Sequence, residues 1–218
     1  KINYIIPHDL LACEFHPAAS QISEPQVLFR LRHIFRSNGN GGNCHIASFG
    51  DYDCIDARII RSSAGKQHNT FIIDKGALDG IDINDGVITT RGAVGIVEMT
   101  ADHFSRVISF TNYDMAVSTR LRHDGPAILM VWDGISQREG RIENIPIHIP
   151  VSPGDTVYTS GFSSIFPPDI PLGLVSGKAV MKGSYSTAAV RLFEDFSRIR
   201  NVIVIKNRDK DAIEELLP

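Results

Sequence analysis

Tyr158-Thr-Ser-Gly161-Phe-Ser-Ser-Ile165-Phe-Pro-Pro-Asp-Ile-Pro171-Leu-Gly-Leu-Val175 decides the fold of this chain. The residues leading up to it alternate like a half-buried strand, and a second strand leaves through Gly173. Between the two, the backbone cannot continue a ladder. Gly161 can take the positive φ that breaks a strand, while Pro167, Pro168 and Pro171 withhold backbone donors. The stretch is a rigid corner presenting Phe162, Ile165 and Phe166. Three apolar side chains on a loop with so few charges are either tucked under a β-barrel as its plug or offered to a partner protein.

Outward from the corner the texture is all β. Short runs rich in branched residues, separated by Gly, Asp and Asn turns, begin at Ile55, Thr70, Gly86, Ala93 and Arg106, and continue at Ala116, Ala127, Arg138, Asp155, Gly173, Ala188 and Asn201. Such spacing belongs to a sandwich or a barrel. Two blocks echo each other. Asp85-Gly-Val-Ile-Thr-Thr-Arg-Gly-Ala-Val-Gly-Ile-Val97 has the order turn, V-x-T strand, glycine, G-x-V strand. Gly154-Asp-Thr-Val-Tyr-Thr-Ser-Gly161 followed by Pro171-Leu-Gly-Leu-Val175 repeats that order with the corner inserted. Either a unit is duplicated into two small β-domains or similar turn chemistry has converged.

The first residues have a different character. Residues 1–23 are punctuated by Pro7 and Pro17. From Ser23, a capping residue, Val27, Leu28, Leu31, Ile34 and Phe35 fall on one helical stripe. A short amphipathic helix is expected there, ending in the glycine-rich linker Asn38-Gly-Asn-Gly-Gly-Asn43. The predicted organisation is a lead-in of helix and linker over 1–50, a first β-barrel over 51–112 that can also receive the last strand, a second barrel over 113–207, and a charged tail over 208–218. The fold class is all-β, two small barrels in a trypsin-like arrangement.

Composition narrows function. With 218 residues and 43% apolar side chains the chain can build a real core. A net charge of −3 gives no global basic field for nucleic acid or anionic lipid. No run reaches the roughly 18 apolar residues of a membrane helix. A start at Lys1 suggests a trimmed ectodomain. Cys13, Cys44 and Cys54 are odd in number and lack a C-x-x-C pair, which supports neither a zinc knuckle nor a complete disulfide framework.

Three kinds of chemistry have candidate residues in the sequence. His103, Asp114 and Ser163 occur in the order of one catalytic triad, on an architecture that hosts it. Against this, Ser163 is followed closely by two prolines and lacks the glycine context of an oxyanion hole. The eight histidines show no H-x-H or H-x-x-x-H pairing, and Asp79-Gly-Ile-Asp-Ile-Asn-Asp-Gly86 lacks the acid that closes a calcium loop, so no metal or cofactor is expected. Arg106, Arg120, Arg122, Arg138 and Arg141 could serve a nucleic-acid barrel, but no aromatics are interleaved with them.

Asn69-Thr-Phe-Ile-Ile-Asp-Lys-Gly-Ala-Leu-Asp-Gly80, Gly92-Ala-Val-Gly-Ile-Val97, Gly154-Asp-Thr-Val-Tyr-Thr-Ser-Gly161 and Ile165-Phe-Pro-Pro-Asp-Ile-Pro-Leu-Gly173 together resemble the rod shape-determining MreC family, over about residues 53–207. The resemblance implies a non-enzymatic scaffold of bacterial cell elongation. It implies an N-terminal anchor in the cytoplasmic membrane, barrels outside that membrane, self-association as a homodimer or larger assembly, and contact with cell-wall synthesis enzymes, notably a class B penicillin-binding protein, and with other shape-determining membrane proteins. Residues 1–50 depart from the family's heptad pattern, because the apolar stripe lasts only about two heptads. From the residues of the corner itself, Phe162, Ile165 and Phe166 are expected to pack against the second barrel. Pro167, Pro168 and Pro171 then hold the adjacent surface ready for a partner.

Overall fold

The computed structural model describes residues 51–63, 67–123 and 125–216. The helix and linker expected over 23–43 lie outside the described residues. The chain opens with five strands, β1 (Tyr52–Ser62), β2 (His68–Ile73), β3 (Gly86–Thr89), β4 (Gly92–Thr100) and β5 (Ser105–Asn112). It continues through β6 (Ala116–Leu121), β7 (Ala127–Val131), β8 (Glu139–Pro146), β9 (Thr156–Thr159), β10 (Pro171–Val175), β11 (Val180–Lys182) and β12 (Tyr185–Leu192). It ends with β13 (Asn201–Asn207) and a single helical turn, α1 (Lys210–Glu214).

Hydrogen bonding closes these into two barrels. The first runs β1-β13-β3-β4-β5-β2. The second runs β10-β9-β6-β7-β8-β12 and closes through the β10–β12 pairing, with β11 hanging on the other half of β12. Closure removes the open edges that a sheet of this length would otherwise expose. The last strand returns to the first barrel, where Cys54 pairs with Ile205 and Ile203 with Ile88. The first barrel is therefore completed only after the second has been built.

Alternation explains which side chains enter each core. Along β6, Val117, Thr119 and Leu121 are buried and their neighbours are not; along β12, Ser186, Ala188, Val190 and Leu192 do the same. β3 and β9 break the pattern, being buried at every position. The corner that follows β9 covers β3 at Gly86, and the His123 ring stacks on Tyr158 of β9.

The echoing blocks fold alike, down to single hydrogen bonds. In each, an aspartate (Asp85, Asp155) accepts a backbone N–H from three residues earlier on its side chain, Asp82 at 2.8 Å and Ser152 at 2.9 Å. Its own carbonyl accepts the N–H of the valine closing the block, Val97 and Val175, both at 2.9 Å. The preceding residue takes positive φ in both, Asn84 at 68° and Gly154 at 93°. One glycine per block, Gly95 and Gly173, lies so close to the neighbouring strand that a Cβ would fall 2.4 or 2.3 Å from a carbonyl oxygen. Shared geometry at four separate points favours duplication over convergence of turn chemistry.

β11 has no counterpart among the predicted strands. It is three residues long and exposed throughout, so it carries no alternation from which a strand could be read. The tail is more ordered at its start than its charge suggests. Lys210 is 7% exposed, donates to the Ile83 carbonyl and lies 3.5 Å from the buried Asp85 carboxylate.

Candidate functional site

The corner between β9 and β10 is built by β9 itself. Thr159 is fully buried at the end of that strand. Its hydroxyl donates to the Pro167 carbonyl at 2.7 Å and accepts the Ile170 N–H at 3.0 Å, and its carbonyl accepts the Asp169 N–H. One threonine thus ties both limbs of the loop. Gly161 turns the chain at φ 78°, packed so tightly on Pro168 that a Cβ would sit 2.9 Å from the proline ring. Asp169, also at positive φ, receives Arg120 and His123, each at 2.7 Å, and the His123 ring stacks on Tyr158 at 4.5 Å. Burial pushes the Asp169 carboxyl up, but the hydrogen bonds with His123 and Arg120 outweigh it and the net direction is down.

The loop divides sharply in what it buries. Phe166 is 3% exposed and meets Phe110 of β5 edge to face at 5.7 Å. A Cβ on Gly86 would lie 2.7 Å from the Phe166 ring and 2.9 Å from the Ile165 carbonyl. Asn207 donates its side-chain amide to the Ser164 carbonyl at 3.0 Å. At the exit, the buried Pro171 places its carbonyl over Gly92, where a Cβ would come within 2.2 Å. Gly86, Gly92, Phe110 and Asn207 all belong to the first barrel. The expected packing against the second barrel therefore needs two corrections. Phe166 and Ile165 fill the junction between the barrels, and Phe162 packs on neither, being 81% exposed. The reason is local: the Phe162 N–H is held by the Ser160 hydroxyl, which also meets that of Ser118, so the backbone is anchored here while the ring stays outside. Pro167 and Pro171 are buried, Pro168 is exposed, and Gly173 is buried against β12.

Gly86, Gly92 and Phe110 were not singled out from sequence. A glycine with a strand for a neighbour announces close backbone approach, but not which distant segment approaches.

The triad order does not become a triad. Asp114 pairs with His68 at 2.7 Å, in the turn after β5. His103 is exposed in the turn before that strand. An eight-residue strand separates the turns by about 25 Å, far beyond the roughly 3 Å that proton transfer requires. The five arginines weighed for nucleic acid are also accounted for. Arg106, Arg120, Arg122, Arg138 and Arg141 each pair with a carboxylate, Glu98, Asp169, Asp155, Asp195 and Glu143 respectively. Among the described residues no three His, Cys, Asp or Glu side chains gather into a metal site, and no helix is long and apolar enough to cross a membrane.

Two closed barrels locked by a loop that leaves its own Phe162 ring outside define a double-barrel protein whose distinctive surface is a joint. The family model of the rod shape-determining protein MreC, barrel core, matches residues 59–206, and the chain belongs to that family. It is 24% identical over 162 residues to the cell shape-determining protein MreC of Escherichia coli K12, covering 74% of this chain and 44% of that protein. It is 29% identical over 153 residues to that of Caulobacter vibrioides, covering 70% and 42%. The chain thus spans less than half the length of these relatives. The fold also matches the crystal structure of MreC from Pseudomonas aeruginosa, with a TM-score of 0.64 at 18% identity over 70% of this chain and 99% of the other. A complex between penicillin-binding protein PBP2 and MreC from Helicobacter pylori matches with a TM-score of 0.57 at 17% identity, over 72% and 99%.

Proposed function

We propose that this chain is the barrel portion of a non-enzymatic scaffold outside the cytoplasmic membrane, which holds a class B penicillin-binding protein during cell elongation and associates with further copies of itself. The observation that carries the reading is the divided corner: Ile165 and Phe166 fix the loop between the barrels, so Phe162 is held exposed on a preorganised support. A loop whose backbone is held in place before binding needs little ordering on contact, and an exposed aromatic carried on it suits an interface anchor. Membership of the MreC family and the fold likeness to the Helicobacter pylori protein, whose structure is of its complex with PBP2, support the choice of partner. A related structure described as the major periplasmic domain of the cell shape-determining filament MreC supports the compartment and the self-association.

The test is binding of the class B transpeptidase from the same organism to the intact chain and to Phe162→Ala. The expected result is an affinity loss of about tenfold or more with an unchanged melting temperature, since the ring is exposed. Equal affinity in the two proteins removes Phe162 from the interface.

A further inference from the structure

We propose that a cavity at the seam of the two barrels is a binding site for a phosphate-class oxyanion. The cavity, of about 230 Å³, is walled by Arg91, Arg138 and Arg191 over a floor of Leu192 and Phe193. The three guanidinium groups come from separate places: the turn between β3 and β4 in the first barrel, the approach to β8, and β12 in the second. An anion seated there touches both barrels.

The pairing of arginines across the molecule distinguishes this cavity from an ordinary charged surface. Among the described residues twelve arginines occur, and eight sit within 4 Å of a carboxylate. Three of the four without such a partner, Arg91, Arg191 and Arg200, line this cavity or the larger groove of about 840 Å³ that shares Glu194 with it. In a chain with more acids than bases, unpaired guanidinium groups collect at one seam. Around the two openings together stand seven arginines and lysines against four carboxylates, while the whole chain carries −3. A concave site with that excess focuses an attractive field on anions.

The acids at the cavity are already engaged. Glu194 takes the Thr89 hydroxyl on one oxygen at 2.6 Å and the Asp195 N–H on the other at 2.9 Å. Asp195 holds Arg138 at 2.6 Å and the Ser197 hydroxyl at 2.6 Å. They orient the rim and leave Arg91 and Arg191 as the donors without acceptors. Arginine's fork suits oxyanions, and forks converging from three elements surround a tetrahedral group better than the flat edge of a carboxylate. The volume admits a phosphate or a diphosphate.

The experiment is calorimetric titration of the whole chain with inorganic phosphate, pyrophosphate and malonate at constant ionic strength. Wild type, Arg91→Gln, Arg191→Gln and the double variant are compared. Saturable pyrophosphate binding is expected, weakened about tenfold by each single change and lost in the double. Melting temperatures without ligand should not change, because neither guanidinium has a carboxylate partner among the described residues. Sedimentation with phosphatidylcholine vesicles containing phosphatidic acid separates the two sources of phosphate. Arginine-dependent vesicle binding identifies a lipid headgroup, pyrophosphate binding without it identifies a free anion, and both support the site. Malonate binding as tightly as pyrophosphate overturns the phosphate assignment. Absence of saturable binding to phosphate, pyrophosphate and vesicles alike, or binding that survives in the double variant, overturns the site itself.

Discussion

Single residues in this protein act through whichever partner the fold brings to them. Asp195 shows this with a consequence that can be measured. The Arg138 guanidinium, assisted by the Ser197 hydroxyl, holds its carboxyl down to about 2. A carboxyl depressed in the folded state contributes stability that is present above its unfolded pKa near 3.9 and is lost as pH falls through the folded value. Acid unfolding should therefore steepen between about pH 4 and pH 2 in wild type. Asp195→Asn, compared by circular dichroism across that window, should lose that part of the slope; an unchanged profile refutes the coupling. Asp114 teaches the complementary lesson about reading sequence. In sequence it stands eleven positions after His103 and invites a triad, yet a strand lies between them, and its partner His68 comes from the start of a neighbouring strand. Residue order carries chemistry only when the fold folds that order back on itself.

Elements were legible where their surroundings impose a period, and illegible where they do not. The strands β6 and β12 alternate because one face meets a core and the other water. β3 and β9 read as apolar or β-branched runs because both their faces are covered, β3 by the corner at Gly86 and β9 by the His123 ring at Tyr158. β11 carries no pattern because nothing covers it, and the first turn of the tail was lost in its charges. That turn, α1, is held to the first barrel by a buried pair. Burial pushes the Asp85 carboxyl up, while the Asp82 N–H, Lys210 and Lys206 pull it down. Removing one partner of such a pair leaves a charge stranded and costs about 3 to 5 kcal/mol, whereas replacing both with apolar or neutral groups is often nearly neutral. Lys210→Met should therefore destabilise the protein markedly in urea, and Lys210→Met with Asp85→Asn should restore most of the loss. A double variant no better than the single one contradicts the pair.

The whole molecule is organised by two long-range events: a last strand that returns to finish the first barrel, and a corner of the second barrel that inserts into the first. The corner could be recognised as rigid from Gly161 and its prolines, and the two barrels from the spacing of strands and the echo of Asp85–Val97 in Gly154–Val175. What could not be read was the destination of Phe166, because Gly86 and Phe110, against which it packs, lie 80 and 56 positions away and carry no local mark of it. The central claim is that this ring makes the two barrels one cooperative body while its neighbour Phe162 stays outside. Thermal unfolding of Phe166→Ala tests that claim most directly. Cavity formation should remove about 3 to 5 kcal/mol, and the single transition expected of the wild-type protein should fall in temperature and split as the barrels uncouple. A Phe166→Ala protein that melts in one transition at the wild-type temperature would contradict it.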